Sequence, residues 1–276
     1  MLNFACHTWA FTDLTLPEAL GTIARLGFRY ADIGSGANLN APRAAANPRK
    51  AALEIRADLD LFDLQLSDLS LMLPRISLPD ERRQRELDLY KALMPFAVEL
   101  GTPGITLSPG LAQPSDDEEA YDRTAEALRE MVKLGADAGL RVSIEPHLDS
   151  IAPTPETALR FIEDVPGLSL TLDWAHLVCQ GIGHDEVIKL LPHTRHIQIR
   201  QAAPQRLQTP FDRGQIDMKQ VVADVLAAEY DGIICVEYMN TPGWHGMEVV
   251  NAIRESARLR DELRSARDAL TKEAKT

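Results

Sequence analysis

Residues 168–200 read LSLTLDWAHLVCQGIGHDEVIKLLPHTRHIQIR. Two short runs in this stretch, Leu168–Asp173 and His196–Arg200, alternate aliphatic with polar residues, and a helix-period segment near Asp185–Leu191 lies between them. Period-two runs on either side of a helical segment form a βαβ unit, and its strands lie parallel because the crossover returns the chain to the same end of the sheet.

The same unit recurs in both directions from this stretch. Strands are expected at Asn3–Trp9, Phe28–Ile33, Leu64–Leu71, Gly104–Leu107, Arg141–Glu145 and Gly232–Glu237. Helices are expected at Leu16–Leu26, Arg49–Phe62, Asp80–Leu100, Thr154–Asp164, Asp217–Glu229 and Met247–Leu270, with one more running from Ser115 to near Gly139. The boundaries have physical markers. Thr15 is placed to cap the first helix, Pro17 sits in its first turn and Gly27 stops it. Ser115-Asp116-Asp117-Glu118 reads as an S-x-x-E capping box, with acidic residues where the helix dipole favours them. Residues 37–48, rich in Ala, Asn and Pro, read as a loop. About eight β-then-α units in 276 residues close most economically into an α/β (β/α)8 barrel. The chain is expected to be a single domain over residues 1–276, with a charged tail from about residue 265. An open doubly wound sheet would show a glycine-rich turn after its first strand, and Thr8-Trp9-Ala10-Phe11 offers none.

Composition narrows the function classes. With 29 Lys+Arg against 41 Asp+Glu the formal charge is −12, which disfavours nucleic acid and anionic membranes as partners. No run of about 20 apolar residues is present to span a bilayer. The start, Met1–His7, carries no secretory signal pattern, so a cytoplasmic location is expected. Cys6, Cys179 and Cys235 are too far apart for a zinc knuckle and too few for a disulfide framework.

The chemistry is concentrated at the ends of the late strands. Val142 and Ile144 alternate with Ser143 and Glu145; Leu170 and Leu172 with Thr171 and Asp173; Ile197 and Ile199 with His196, Gln198 and Arg200; Ile234 and Val236 with Cys235 and Glu237. Side chains change face at every residue of a strand. If the aliphatic set faces the helices, Glu145, Asp173, Gln198 and Glu237 point into the barrel near its C-terminal mouth, where active sites of this fold lie. Converging carboxylates repel one another and take up protons unless a cation joins them. Three carboxylates and an amide oxygen suit Mn²⁺ or Mg²⁺, with Co²⁺ and Zn²⁺ as alternatives. His176 and His147 follow two of these strand ends and are read as substrate contacts as well as structural histidines. His7 and Trp9 end the first strand and are further candidates for substrate binding. Trp9, Trp174 and Trp244 either wall a sugar's apolar face or pack in the core. No lysine falls at a strand end, which argues against Schiff-base chemistry.

At these residues the chain resembles the xylose-isomerase-like TIM-barrel superfamily of sugar phosphate isomerases and epimerases. The stretch His196-Ile197-Gln198-Ile199-Arg200, with Pro204, Arg206 and Asp212-Arg213-Gly214-Gln215-Ile216-Asp217, is most similar to the hydroxypyruvate isomerase and ketose 3-epimerase branch. The resemblance implies that Glu145, Asp173, Gln198 and Glu237 are metal ligands and that Glu145 and Glu237 are also the acid/base pair. It further implies that His176 contacts a substrate oxygen, that Arg206 anchors substrate, and that the chain forms a homodimer or homotetramer. Many relatives carry His where Gln198 stands. The loop Asn240-Thr241-Pro242-Gly243-Trp244-His245 matches no substrate pattern of the superfamily.

The chemistry expected is proton transfer next to a carbonyl, through a metal-stabilised enediolate, on a small keto-sugar or hydroxy-keto acid. A metal-dependent lyase, acting as a dehydratase or by β-elimination from a keto-glycoside at the same site, is the alternative, with His147 available as the acid. A non-catalytic sugar-binding barrel is a lesser one. The superfamily's DNA-repair endonucleases need histidines on the second and third strands, where this chain has Asp32-Ile33-Gly34 and Leu66-Ser67-Asp68-Leu69.

Overall fold

A computed structural model describes residues 2–273. Eight parallel strands close in sequence order, with the last hydrogen-bonded to the first. They are β1 Asn3–His7, β2 Tyr30–Gly34, β3 Gln65–Leu71, β4 Gly104–Leu107, β5 Arg141–Ile144, β6 Ser169–Asp173, β7 Thr194–Ile199 and β8 Ile233–Val236. The helices are α1 Leu16–Arg25, α2 Ala41–Ala46, α3 Pro48–Leu61, α4 Glu81–Leu100, α5 Glu118–Asp137, α6 Pro155–Asp164, α7 Trp174–Cys179, α8 His184–Val187, α9 Met218–Ala227 and α10 Ala252–Glu273. This is the (β/α)8 barrel expected from the repeating unit. No helix among the described residues is long and apolar enough to cross a membrane.

Several boundaries move for local reasons. Trp9 leaves the first strand for a 3-10 turn, Thr8–Phe11, because the His7 ring accepts a hydrogen bond from the Trp9 amide. The expected loop at 37–48 contains α2, started by Asn40, whose side chain caps Arg43 N. The capping box expected at Ser115 is displaced by Asp117, whose carboxylate caps Ala120 N, so α5 begins at Glu118. The last helix starts at Ala252, later than the expected Met247, because the Asn251 side chain accepts from Arg254 N and supplies the cap. The helix expected at Asp185–Leu191 divides into α8 and a 3-10 segment, Ile188–His193, that contains Pro192 and is followed by Thr194 as its C-cap.

The aliphatic residues of β5 to β8 pack outward against the helices, and Val142, Ile144, Leu170, Leu172, Ile197, Ile199, Ile234 and Val236 are all buried in the core. The barrel interior is polar. Register shifts fall between Ala31 and Asp32 opposite β3, and between Leu170 and Thr171 opposite β7. Each shift lets a strand turn two consecutive polar residues inward, Ser67 with Asp68 and Arg195 with His196. Ser67 donates to Asp32, His196 Nε2 donates to Asp32 at 2.6 Å, and Arg195 donates to Asp68 at 2.8 Å and Ser143 at 2.7 Å. A Thr106–Thr171–Ser143 chain fills the remaining space, with separations of 2.6 and 2.7 Å. Buried charge is tolerated here because each group finds a hydrogen-bonding partner of opposite sign.

Candidate active site

The four sequence-predicted ligands lie at the C-terminal mouth. Asp173 ends β6, and its Oδ1 caps α7 through Ala175 N at 2.8 Å, leaving Oδ2 facing inward. His176, one turn into α7, lies on the same side, with Nε2 3.7 Å from Asp173 Oδ2 and 3.5 Å from Glu145 Oε1. Gln198 stands level with Asp173 on the neighbouring strand. Glu145 and Glu237 are the first residues beyond β5 and β8, and their amides extend the ladder to Leu107 O and Ile199 O. Among the described residues, one oxygen of Asp173 and both amide atoms of Gln198 are buried without a hydrogen bond. An unsatisfied buried polar atom costs about 1–3 kcal/mol, so a site made this way calls for another partner. The free oxygens of three carboxylates and an amide are the donor set of a hard divalent cation. The residues present therefore fit such an ion.

Arg200, the next inward residue after Gln198, was left without a role by the alternation pattern. Its guanidinium is fully buried. Nη1 donates to Glu237 Oε2 at 2.5 Å and to Glu237 O at 3.1 Å, and Nε donates to Leu207 O at 3.3 Å. Nη2 lies 3.0 Å from Asp173 Oδ2 without pointing a proton at it. Burial works against its charge, but Asp173, Glu237 and Glu145 outweigh that and keep it protonated.

The carboxyls move the other way. Burial first, then the charges of Glu237 and Asp173, push Glu145 well above the ordinary carboxyl range. Burial pushes Glu237 up to about 8 even with Arg200 opposing it. Burial also raises Asp173, against Arg200 and the Ala175 amide. His176 is held well below its usual value by burial and by Arg200. The Leu148 amide lies 3.3 Å from His176 Nδ1 and Arg200 Nη2 lies 3.4 Å from its Nε2, which also faces Glu145 and Asp173.

Glu145, His147, His176 and Glu237 line one cavity of about 270 Å³, walled by Trp9, Met72, Met239 and Trp244. His147 is held neutral by burial, with Ser108 Oγ 3.0 Å from its Nε2 and Leu148 O against its Nδ1. His7 does not reach this cavity: it is buried behind Trp9, where it caps the 3-10 turn and lies 3.3 Å from Ser70 Oγ. Arg206 lies outside as well, exposed and paired with Glu248. Trp174 is buried in the core and is not a cavity wall. Met72, Met239 and Arg200 are the residues the sequence pattern did not single out for function. Only Arg200 carried a signal, its inward parity with Gln198.

A second group, Asp32, His196 and Cys235, lies deeper in the barrel with its atoms close enough to hold an ion. Both Asp32 oxygens are already engaged, and burial pushes the Cys235 thiol well above its ordinary value, so it offers no thiolate. A larger open depression of about 750 Å³ beside the site shares Ser35, Gly36 and Met72 with it, but its Arg75, Arg82 and Arg85 are paired with Glu86, Asp80 and Glu81.

Comparison with known proteins is consistent with this architecture. The chain is 23% identical to inosose dehydratase from Clostridium botulinum (strain Alaska E43 / Type E3) over 236 residues, 81% of this chain and 76% of that protein. Among solved structures, a xylose isomerase-like TIM-barrel protein from Mycobacterium smegmatis in complex with magnesium superimposes with a TM-score of 0.73 at 21% identity, covering 97% of this chain and 98% of that one. D-allulose 3-epimerase from Methylomonas sp. gives 0.74 at 16% identity, over 96% of this chain and 98% of its own. A family model described as xylose isomerase-like TIM barrel matches residues 20–268, and the chain belongs to that family.

Proposed function

We propose that the protein is a divalent-metal-dependent isomerase or epimerase of a small keto-sugar or hydroxy-keto acid. One observation carries this reading: Glu145 and Glu237, from opposite ends of the β5–β8 arc, both face a single cavity while Asp173 and Gln198 lie buried behind it with polar atoms unpartnered. The names of the relatives, an epimerase and a dehydratase of sugars, and the magnesium held by a third, support it. The absence of Lys and Arg from the described cavity lining favours a substrate without phosphate.

Glu145, Asp173, Gln198 and Glu237 would hold the ion. Bound there, it would supply Lewis acidity toward substrate oxygens and the positive charge that keeps Glu145 ionised at neutral pH. Glu145 is the carboxyl without a hydrogen-bonding tether, and it removes the proton next to the carbonyl. Glu237, tethered through one oxygen to Arg200, faces the same cavity. Glu145 returns its own proton at the neighbouring carbon, or Glu237, carrying a proton taken from solvent, delivers one at the opposite face while Glu145 loses its proton to solvent. His176 lines the cavity beside Glu145 and packs against the bound substrate's oxygens. Trp9 and Trp244 pack on the sugar's C–H face and exclude water.

A second reading rests on His147, which lines the same cavity. A leaving group that takes its proton there would turn the enediolate toward β-elimination, which is dehydration or release of an aglycone. Metal-loaded protein incubated with a panel of keto-sugars and hydroxy-keto acids in D₂O separates the two by NMR, with Glu145→Gln as control. Solvent deuterium on an intact carbon skeleton is the expected result. Release of water or aglycone shifts the assignment to a lyase. Sugar binding with neither outcome would show a binding barrel and overturn both.

A further inference from the structure

We infer that Arg200 is a positioning residue that fixes the charge of the proposed metal site at −2 and so matches it to a divalent ion. The inference rests on the metal reading above and adds to it a residue outside the ligand set. When ionised, Glu145, Asp173 and Glu237 bring three negative charges to the site, and no divalent ion neutralises three. The buried guanidinium supplies the third positive charge. It is a permanent part of the site, because two backbone carbonyls, Leu207 O at 3.3 Å and Glu237 O at 3.1 Å, hold it in place from either side. A planar fork with five donors can donate to such carbonyls while still reaching two carboxylates, which a lysine cannot do.

The same contacts assign the free oxygens. Nη1 takes Glu237 Oε2, leaving only Oε1 for an ion. Ala175 N takes Asp173 Oδ1, and Nη2 lies 3.0 Å from Oδ2 without a directed hydrogen bond, so Oδ2 is held near the site but left available. Each of these carboxylates is thereby restricted to one donor oxygen. Arg200 thus sets the net charge and restricts Glu237 to one oxygen, while the Ala175 amide does the same for Asp173.

The test compares affinities for Tb³⁺, read by luminescence, and Mn²⁺, read by electron paramagnetic resonance, and uses their ratio. Losses of preorganisation lower both affinities and cancel in the ratio; a change in site charge does not cancel. Arg200→Gln is expected to raise the Tb³⁺/Mn²⁺ affinity ratio by about tenfold or more, since an unscreened extra negative charge favours the trivalent ion. Arg200→Lys, which keeps the charge and loses the fork, is expected to leave the ratio within about threefold of the parent while weakening both ions. If Arg200→Gln does not fold, the same charge step is read between Asp173→Asn and the double variant Asp173→Asn/Arg200→Gln, with the same rise expected. A ratio unchanged on loss of Arg200 in either background overturns the inference and leaves the metal site standing. A parent protein that binds no Mn²⁺ overturns the metal reading itself, and this inference with it.

Discussion

Asp149 and His245 are joined across the mouth of the barrel: His245 Nε2 donates to Asp149 Oδ2 at 2.6 Å, and the adjacent Trp244 Nε1 donates to the same oxygen at 3.2 Å. The bond ties the loop after β5 to the loop after β8, the two segments that carry His147 and Trp244 into the cavity. Asp149 and His245 both adopt left-handed backbone conformations, with φ of 62° and 43°. Such conformations persist in non-glycine residues when the surroundings hold them. The pair is partly exposed, so its worth is discounted to about 1 kcal/mol. Asp149→Ala and His245→Ala are each expected to raise KM by about fivefold with kcat changed less than twofold, measured by steady-state kinetics on the substrate identified in D₂O.

Glu145→Gln is expected to lower kcat by about 10²–10⁴-fold, the usual worth of a general base. In metal-free protein the same change is expected to stabilise the fold. A carboxyl whose folded pKa is raised keeps its proton after the unfolded chain has lost one. Its contribution to stability therefore falls as pH rises above the ordinary carboxyl value. Urea midpoints with chelator present should show the variant gaining on the parent by about 1–3 kcal/mol between pH 5 and 8. A function-bearing carboxyl that destabilises its own fold is the expected trade.

His7 gives the opposite sign. Burial pushes its pKa down to about 4, and Nδ1 is occupied by the Trp9 amide. Below about pH 6.5 the unfolded chain binds a proton that the folded protein refuses until about pH 4, so this residue makes stability fall as pH falls through that window. His7→Asn keeps a side-chain acceptor without the titration. The stability difference between parent and variant should shift against the parent by about 3 kcal/mol between pH 7 and 4, measured by urea unfolding at fixed ionic strength.

The Arg195–Asp68 pair at 2.8 Å is buried inside the barrel, away from the cavity. Removing one partner leaves an uncompensated buried charge. Asp68→Ala is expected to cost about 3–5 kcal/mol in denaturant, with KM unchanged in the surviving folded fraction.

At Gly34 a Cβ would lie 2.3 Å from the Trp9 ring and 2.7 Å from the His7 ring. Gly34→Ala is expected to displace Trp9 from the cavity wall, destabilising the fold by about 1–3 kcal/mol and raising KM. A shift in Trp fluorescence on substrate addition, reduced relative to the parent, checks the first part.

The sequence alone determined the barrel, because strand and helix periods are local properties of the chain and eight repeats leave few ways to close a parallel sheet. It also identified Glu145, Asp173, Gln198 and Glu237 as one set, since alternation fixes which face each strand end presents. Tertiary structure decided what alternation cannot encode. The two register shifts turned Ser67 and Asp68, and Arg195 and His196, inward together. Loop geometry sent Arg206 to Glu248 at the surface, the 3-10 turn after β1 laid Trp9 over His7, and Arg200, two residues beyond Gln198, entered among the carboxylates. Such placements depend on distances between residues up to 164 positions apart, as in Asp32 and His196. Energies at that range are set by burial and partner charge, which exist only once the chain has closed.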